Sequence, residues 1–132
     1  MRRQFLLPEA DVDYLNACGL RWETIIEGKW RWLLLHESPI PDGYNVKSAT
    51  VAVSISAGYP DAQLDMVYFY PPLARQDGCG IGALSSKAID GRNFQRWSRH
   101  RTGANPWRPG EDDLSAHLSL VQHWLEREFK KG

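Results

Sequence analysis

Hydrophobic and polar positions alternate most clearly between residues 46 and 56. Ala49, Val51, Val53 and Ile55 fall on one side, and Thr50, Ala52, Ser54 and Ser56 on the other. A period of two places successive side chains on opposite faces of a β-strand. Upstream, residues 21–27 (Arg-Trp-Glu-Thr-Ile-Ile-Glu) run into Gly28-Lys29, a hairpin turn, and Trp30 to His36 form a second apolar and aromatic strand. The stretch from Glu37 to Gly43 holds two prolines and a glycine and is expected to be irregular. Gly58 to Asp61 reads as a turn, and residues 64–70 as a fourth strand that stops at Pro71-Pro72. The short connections make this an antiparallel meander of four strands, because parallel pairing would need crossover helices that the pattern lacks.

At the two ends the period lengthens. Leu114, Leu118, Val121, Leu125 and Phe129, widened by Leu120 and Trp124, make a helical stripe. Glu111, Asp112 and Asp113 precede it and Lys130-Lys131 end it, both in keeping with the helix dipole. Pro8, followed by Glu9, Asp11 and Asp13, opens a helix over 8–18 that Gly19 terminates, with Ala10, Tyr14 and Cys18 on its apolar stripe. Residues 73–90 show little periodicity and hold Gly78, Gly80 and Gly82, so they read as a long irregular loop. Phe94 to His100 reads as a short helical turn, and residues 105–110 as irregular. Helices covering one face of an antiparallel sheet give an α+β plan.

Composition narrows the function. At 132 residues, with 42% hydrophobic and 24% charged residues, the chain is expected to be one globular domain spanning 1–132. Sixteen basic and sixteen acidic residues cancel, so no global charge draws it to nucleic acid or an anionic membrane. Apolar runs such as Trp32 to Leu35 are far too short to span a bilayer. Cys18 and Cys79 are too few for a disulfide framework and match no zinc spacing, and the histidines are not spaced as a metal site. A reduced, cytoplasmic protein without metal or cofactor is the expectation.

The element order and several local motifs carry a resemblance. Ser56-Ala-Gly-Tyr59-Pro60, the strand from Leu64 to Tyr70, the extended Pro71-Pro72-Leu73 and then Cys79, twenty residues after Tyr59, look like the ubiquitin-conjugating (UBC) fold, in which such a segment leads to the carrier cysteine. Phe5-Leu6-Leu7-Pro8, Pro41-Asp42-Gly43-Tyr44-Asn45, Arg96-Trp97-Ser98-Arg99-His100 and Trp107-Arg108-Pro109-Gly110-Glu111-Asp112 are similar to the prokaryotic UBC-like group called Prok-E2 family E. The resemblance implies partners: a ThiF-like activating enzyme, a ubiquitin-like protein, often multi-domain, and a deconjugating peptidase. One feature departs from conventional UBC enzymes. Leu73-Ala-Arg-Gln-Asp-Gly-Cys79 lacks their His-Pro-Asn triplet, so an oxyanion role for its Asn does not transfer.

The resemblance implies that Cys79 is the catalytic thiol. Flanking glycines leave it accessible and offer backbone amides to a developing oxyanion; the plain alternative is a bystander cysteine in a flexible loop. Asp77 is a weak candidate base beside it. Cys18, on the helical stripe, is expected to be a buried packing residue. Residues 92–108 hold five arginines, His100, Trp97 and Trp107, and no acid. Arg96, Arg99, Trp97 and Asn93 are candidate binding residues and His100 a candidate proton-transfer residue. The competing reading is a solvated basic loop whose tryptophans fill core gaps.

Three functions follow. The first is a carrier that accepts a ubiquitin-like protein as a thioester and transfers it to an amine. The alternative is a catalytically inactive UBC-like module that binds a ubiquitin-like protein or its activating enzyme. The third, single-strand nucleic-acid binding on arginines and stacked tryptophans, is disfavoured by the zero net charge.

Overall fold

The structure, a computed structural model, describes residues 1–130. In chain order it consists of α1 (Glu9–Ala17), β1 (Trp22–Glu27), β2 (Trp30–Pro39), β3 (Ser48–Ser54), β4 (Val67–Tyr70), β5 (Leu84–Ile89), β6 (Arg92–Trp97) and α2 (Leu114–Arg127), with a 3-10 turn at Glu128–Lys130. The strands form one antiparallel sheet in the order β1-β2-β3-β4-β6-β5. The α+β plan with a helix at each end is as expected. Lys131, expected at the basic end of α2, lies outside the described residues.

The sheet has six strands where four were expected, and the added hairpin corrects two readings. Ile89 pairs with Arg92 across Asp90-Gly91, whose φ angles of 51° and 75° are those of a tight two-residue hairpin turn. β5 sends no periodic signal because it is an edge strand with Leu84, Ser85, Ser86 and Ala88 all exposed. Residues 94–97 are strand, not helical turn. Phe94 and Trp97 lie three apart, hence on opposite faces of the sheet, and both faces are covered there. That spacing imitates a helix.

Smaller differences have similar causes. β2 continues through Ser38-Pro39, past a bulge after Leu35 where Glu37 takes φ 51°, and Pro39 sits opposite Ser48. The buried side of α1 is Asp11 and Leu15, continuing the buried Leu7 just before it, whereas Ala10 and Cys18 are exposed. The helix is turned this way because its buried face is built around a carboxylate. Asp11 accepts from the Tyr59 hydroxyl and the Leu114 amide, tying α1 to the turn after β3 and to the start of α2. Cys18 instead lines an open groove of about 410 Å³ between α1, β2 and α2.

One face of the sheet packs Leu33, Val51, Phe69 and Trp97 against Leu15, Val121 and Leu125 of the helices. The other face has no helix, yet Ile25, Trp32, Leu34, Tyr68, Ile89 and Phe94 are buried on it. The sheet seals this face by curling. The Asp90 amide donates to Glu27 at 2.9 Å, Lys87 lies 4.4 Å over Trp30, and Arg2 bridges Asp90 at 2.7 Å and Glu23 at 3.0 Å. The β5–β6 hairpin thus folds back over β1 and β2, an extreme of ordinary sheet twist. The Arg2 guanidinium, aided by His36, holds the Glu23 carboxyl down at about 2.

Candidate functional site

After Tyr70 the chain leaves the sheet through Pro71-Pro72, which cannot donate to a ladder. Two amide side chains replace the missing strand partner. Gln95 brackets Leu73, accepting from its N–H and donating to its carbonyl, each at 3.0 Å. Asn45 brackets the next step: Oδ1 accepts from the Ala74 N–H at 2.9 Å and Nδ2 donates to the Pro72 carbonyl at 3.2 Å. Its own N–H donates to Ala74 O at 2.8 Å, and the Gln76 N–H donates to Gly43 O at 2.8 Å. Pro41-Asp42-Gly43-Tyr44-Asn45 is therefore the floor on which the Cys79 loop lies.

Arg75 joins this loop to the end of the chain. Its Nη1 donates to Glu128 O at 2.8 Å, its guanidinium stands 4.8 Å from the Phe129 ring, and its Nε donates to Asp77 at 3.1 Å. Asp77 in turn accepts the Cys79 N–H at 3.0 Å, an Asx turn across Gly78 at φ 80°. The Arg75 guanidinium first, and then the Cys79 amide, hold the Asp77 carboxyl below its ordinary range, while Asp77 raises Arg75. Asp77 stays ionised and positions the loop; as a base it would be feeble. The Cys79 side chain is exposed, and nothing crowds Gly78, Gly80 or Gly82. The Cys79 amide, engaged by Asp77, is not free to face an oxyanion.

Gly43 limits how this floor can vary. At φ 104° its missing Cβ would stand 2.6 Å from the Phe129 ring. Gly43→Ala should cost about 1–2 kcal/mol, the ring swinging aside while the backbone strain remains. It should also speed hydrogen exchange at the Gln76 amide, measured by NMR alongside urea unfolding.

The arginine-rich segment does not converge on one point. Arg99 reaches the Cys79 loop, with Nη1 donating to Gly82 O at 3.0 Å and Nη2 3.5 Å from Glu128. Arg96 turns to the curled face and donates to Ser85 Oγ at 2.8 Å. Arg101 points to α2, donating to Leu64 O at 3.0 Å with its Nη2 3.2 Å from His117 Nδ1. Asn93 is exposed at the start of β6, opposite Ala88. Trp97, expected among the binding residues, is 0% exposed and packs on Phe69 and Tyr44, so its contribution is to the core. His100 is exposed, with Nδ1 2.7 Å from Asp65 Oδ2. No hydrogen bond or ion pair joins His100 to Cys79 among the described residues. Nor do three His, Cys, Asp or Glu side chains among them gather as a metal site. Asn45, Arg75 and Gln95, which hold the loop, were not singled out from the sequence. Asn45 at least stands in a motif that carried the resemblance, whereas Gln95 gives no signal of its role.

A helix, an antiparallel sheet, an exposed cysteine loop after the fourth strand and a closing helix are the parts of a ubiquitin-conjugating-like protein. The model of the family described as Prokaryotic E2 family E matches residues 7–128, and the chain belongs to that family. Neither curated proteins nor solved structures give a match. The family implies, in general terms, dealings with an activating enzyme and a ubiquitin-like protein. No helix among the described residues is long and apolar enough to cross a membrane.

Proposed function

We propose that the protein is a carrier that accepts a ubiquitin-like protein as a thioester on Cys79 and passes it to an amine. The observation supporting this is the placing of an exposed thiol on a loop braced from three sides by Asn45, Gln95 and Arg75. A carrier needs such a thiol, open to two large partners in turn yet fixed in position. In the first step the Cys79 thiolate attacks the thioester carbonyl held by the activating enzyme, whose own sulfur leaves as thiolate. In the second an amine attacks the new thioester, gives up a proton and releases the Cys79 thiolate. We assign that proton to His100, whose exposed ring is oriented through Nδ1 by Asp65. Arg75 and Arg99 serve as positioning residues, since both are occupied with backbone and carboxylate partners.

The test mixes the chain with a ThiF-like activating enzyme, its ubiquitin-like protein and ATP. A mass increase that a reducing thiol reverses is expected for the wild type. Cys79→Ser should yield a thiol-resistant ester or nothing, and Cys79→Ala nothing. A reversible adduct persisting on Cys79→Ala would move the chemistry to Cys18, the other exposed thiol, and end the assignment. His100→Ala should charge normally but discharge to lysine about 100-fold more slowly. The engaged Cys79 amide favours a second reading, the inactive binding module. Its outcome in the same mixture is a stable complex without any adduct.

A further inference from the structure

The two edges of the sheet are treated differently. Along β1 the chain covers its own edge: Gln4 N–H donates to Thr24 O at 2.9 Å, Thr24 N–H to Arg2 O at 3.0 Å, and Ile26 N–H to the Gln4 side chain at 2.7 Å. Along β5 nothing does so. Among the described residues no strand lies beyond it, its register with β6 is unbroken from Leu84 to Ile89, and it has no proline or bulge. The one lysine that could guard it, Lys87, is folded onto Trp30.

The hairpin fixes which groups are free. Ile89 and Arg92 flank a two-residue turn and so form a hydrogen-bonded pair, as do Lys87 with Phe94 and Ser85 with Arg96. Leu84, Ser86 and Ala88 therefore aim their N–H and C=O groups outward. Their side chains are small or open, beside a shallow groove of about 290 Å³ that Pro72, Asn93 and Gln95 also line. Edge groups of this kind recognise an extended peptide by main-chain hydrogen bonds.

Position and polarity name the peptide. Leu84 lies five positions after Cys79, a reach of at most about 18 Å, and β5 runs away from the thiol. A chain whose carboxyl end lies at Cys79 and whose body lies along β5 must run from Ala88 toward Leu84. That direction is antiparallel to β5, the stronger ladder. We infer that β5 is the docking edge for the extended C-terminal tail of the ubiquitin-like protein, which adds as a seventh strand and delivers its terminal carbonyl to Cys79. This rests on the carrier reading and specifies its partner contact: four to six residues in extended form, ending in residues slim enough to pass the Gly78–Gly82 loop.

The test uses the synthetic peptide acetyl-Val-Thr-Val-Thr-Gly-Gly with full-length Cys79→Ser protein. Hydrogen exchange at Leu84, Ser86 and Ala88 should slow tenfold or more on peptide addition, while Ser85 and Lys87, already bonded to β6, stay unchanged. Ser86→Pro removes one outward N–H and leaves the β6 ladder intact, and should weaken peptide binding at least tenfold. N-methylating the peptide amides that would face β5 should do the same without altering the protein. Protection elsewhere, or binding indifferent to both changes, overturns the inference. So does protection that grows with protein concentration in the absence of peptide, which would assign the edge to a second copy of the chain. Thioester exchange separates this from the carrier reading. When Cys79 sulfur bonds the carbonyl carbon of a thioester and the small thiol departs, Ser86→Pro should slow transfer from the hexapeptide thioester tenfold and leave transfer from acetylglycine thioester, too short to reach β5, unaffected. Equal wild-type rates with both donors count against docking; failure of Cys79 with both, while the edge stays protected, counts against the carrier.

Discussion

Replacing Trp97 with alanine is expected to cost about 3–5 kcal/mol of folding stability, the largest effect of any single change considered for this protein. The indole is 0% exposed, its centroid lies 5.3 Å from Phe69 in an edge-on arrangement, and the Arg99 guanidinium stands 4.9 Å from the ring. Truncation would leave a cavity between the sheet and the last turn. It would also remove the Nε1–H that donates to Gln95 Oε1 at 2.8 Å, loosening the side chain that brackets Leu73. Trp97→Phe keeps most of the volume and loses that bond, so about 1–2 kcal/mol is expected. Urea unfolding reads the stabilities. Charging of Cys79 in the folded fraction should slow in both variants and more in Trp97→Ala, because both lose the bond that steadies Gln95 and the alanine also loses the packing around it.

The second large effect is on pH dependence. His117 is 0% exposed and its Nε2 lies 2.9 Å from the Met66 carbonyl, so Nε2 carries the proton and donates. Nδ1 then accepts from Arg101. Charging the ring would put a second proton on Nδ1 against a guanidinium, in a fully buried site. Burial first, and Arg101 after it, push this imidazole down to about 4. The folded state therefore resists a proton that the unfolded chain takes up below about 6.5, and stability falls as pH drops between these values. From pH 7 to pH 5 the loss comes to about 2 kcal/mol, and to about 3 kcal/mol once pH 4 is reached. Glu23 contributes in the opposite part of the scale. Its carboxyl is held near 2, so its stabilisation is complete above about 4.5 and is lost only below that. His117→Gln can donate to Met66 and accept from Arg101 without titrating. Unfolding of wild type and this variant at pH 7 and 5 should show the wild type losing about 2 kcal/mol more than the variant; parallel losses would contradict it.

Much of the fold is legible in the residues, and the failures have definite causes. The alternation of Ala49, Val51, Val53 and Ile55 gives β3, and the Leu114–Leu125 stripe gives α2, because each element has one buried face and one open face. β6 is missed because Phe94 and Trp97 fill opposite faces and erase the alternation. β5 is missed because an exposed edge strand needs no apolar side at all, and Asp90-Gly91, a hairpin dipeptide, is not distinguished from Asp42-Gly43 and Asp77-Gly78, which are in loops. α1 is found but rotated, since a hydrophobic stripe cannot reveal that a satisfied carboxylate, Asp11, faces inward. At the site the exposed cysteine among glycines was readable. Its supports were not, for Asn45, Arg75 and Gln95 act across 22 to 53 residues of chain, through two side-chain amides and a guanidinium that leave no pattern.

Arg75 and Phe129 give the last turn a part beyond closing the core. The strip from Gly43 to Asn45, the run from Leu73 to Cys79 and the residues from Leu125 to Phe129 interlock through Tyr44, whose hydroxyl donates to Leu125 O at 2.6 Å, and through Arg75 on Glu128. Three stretches far apart in sequence should therefore open together as one cooperative unit, their amides exchanging at a shared rate. Weakening any of the three would then lower the order of the thiol's surroundings at a distance, without a single contact to the sulfur being touched.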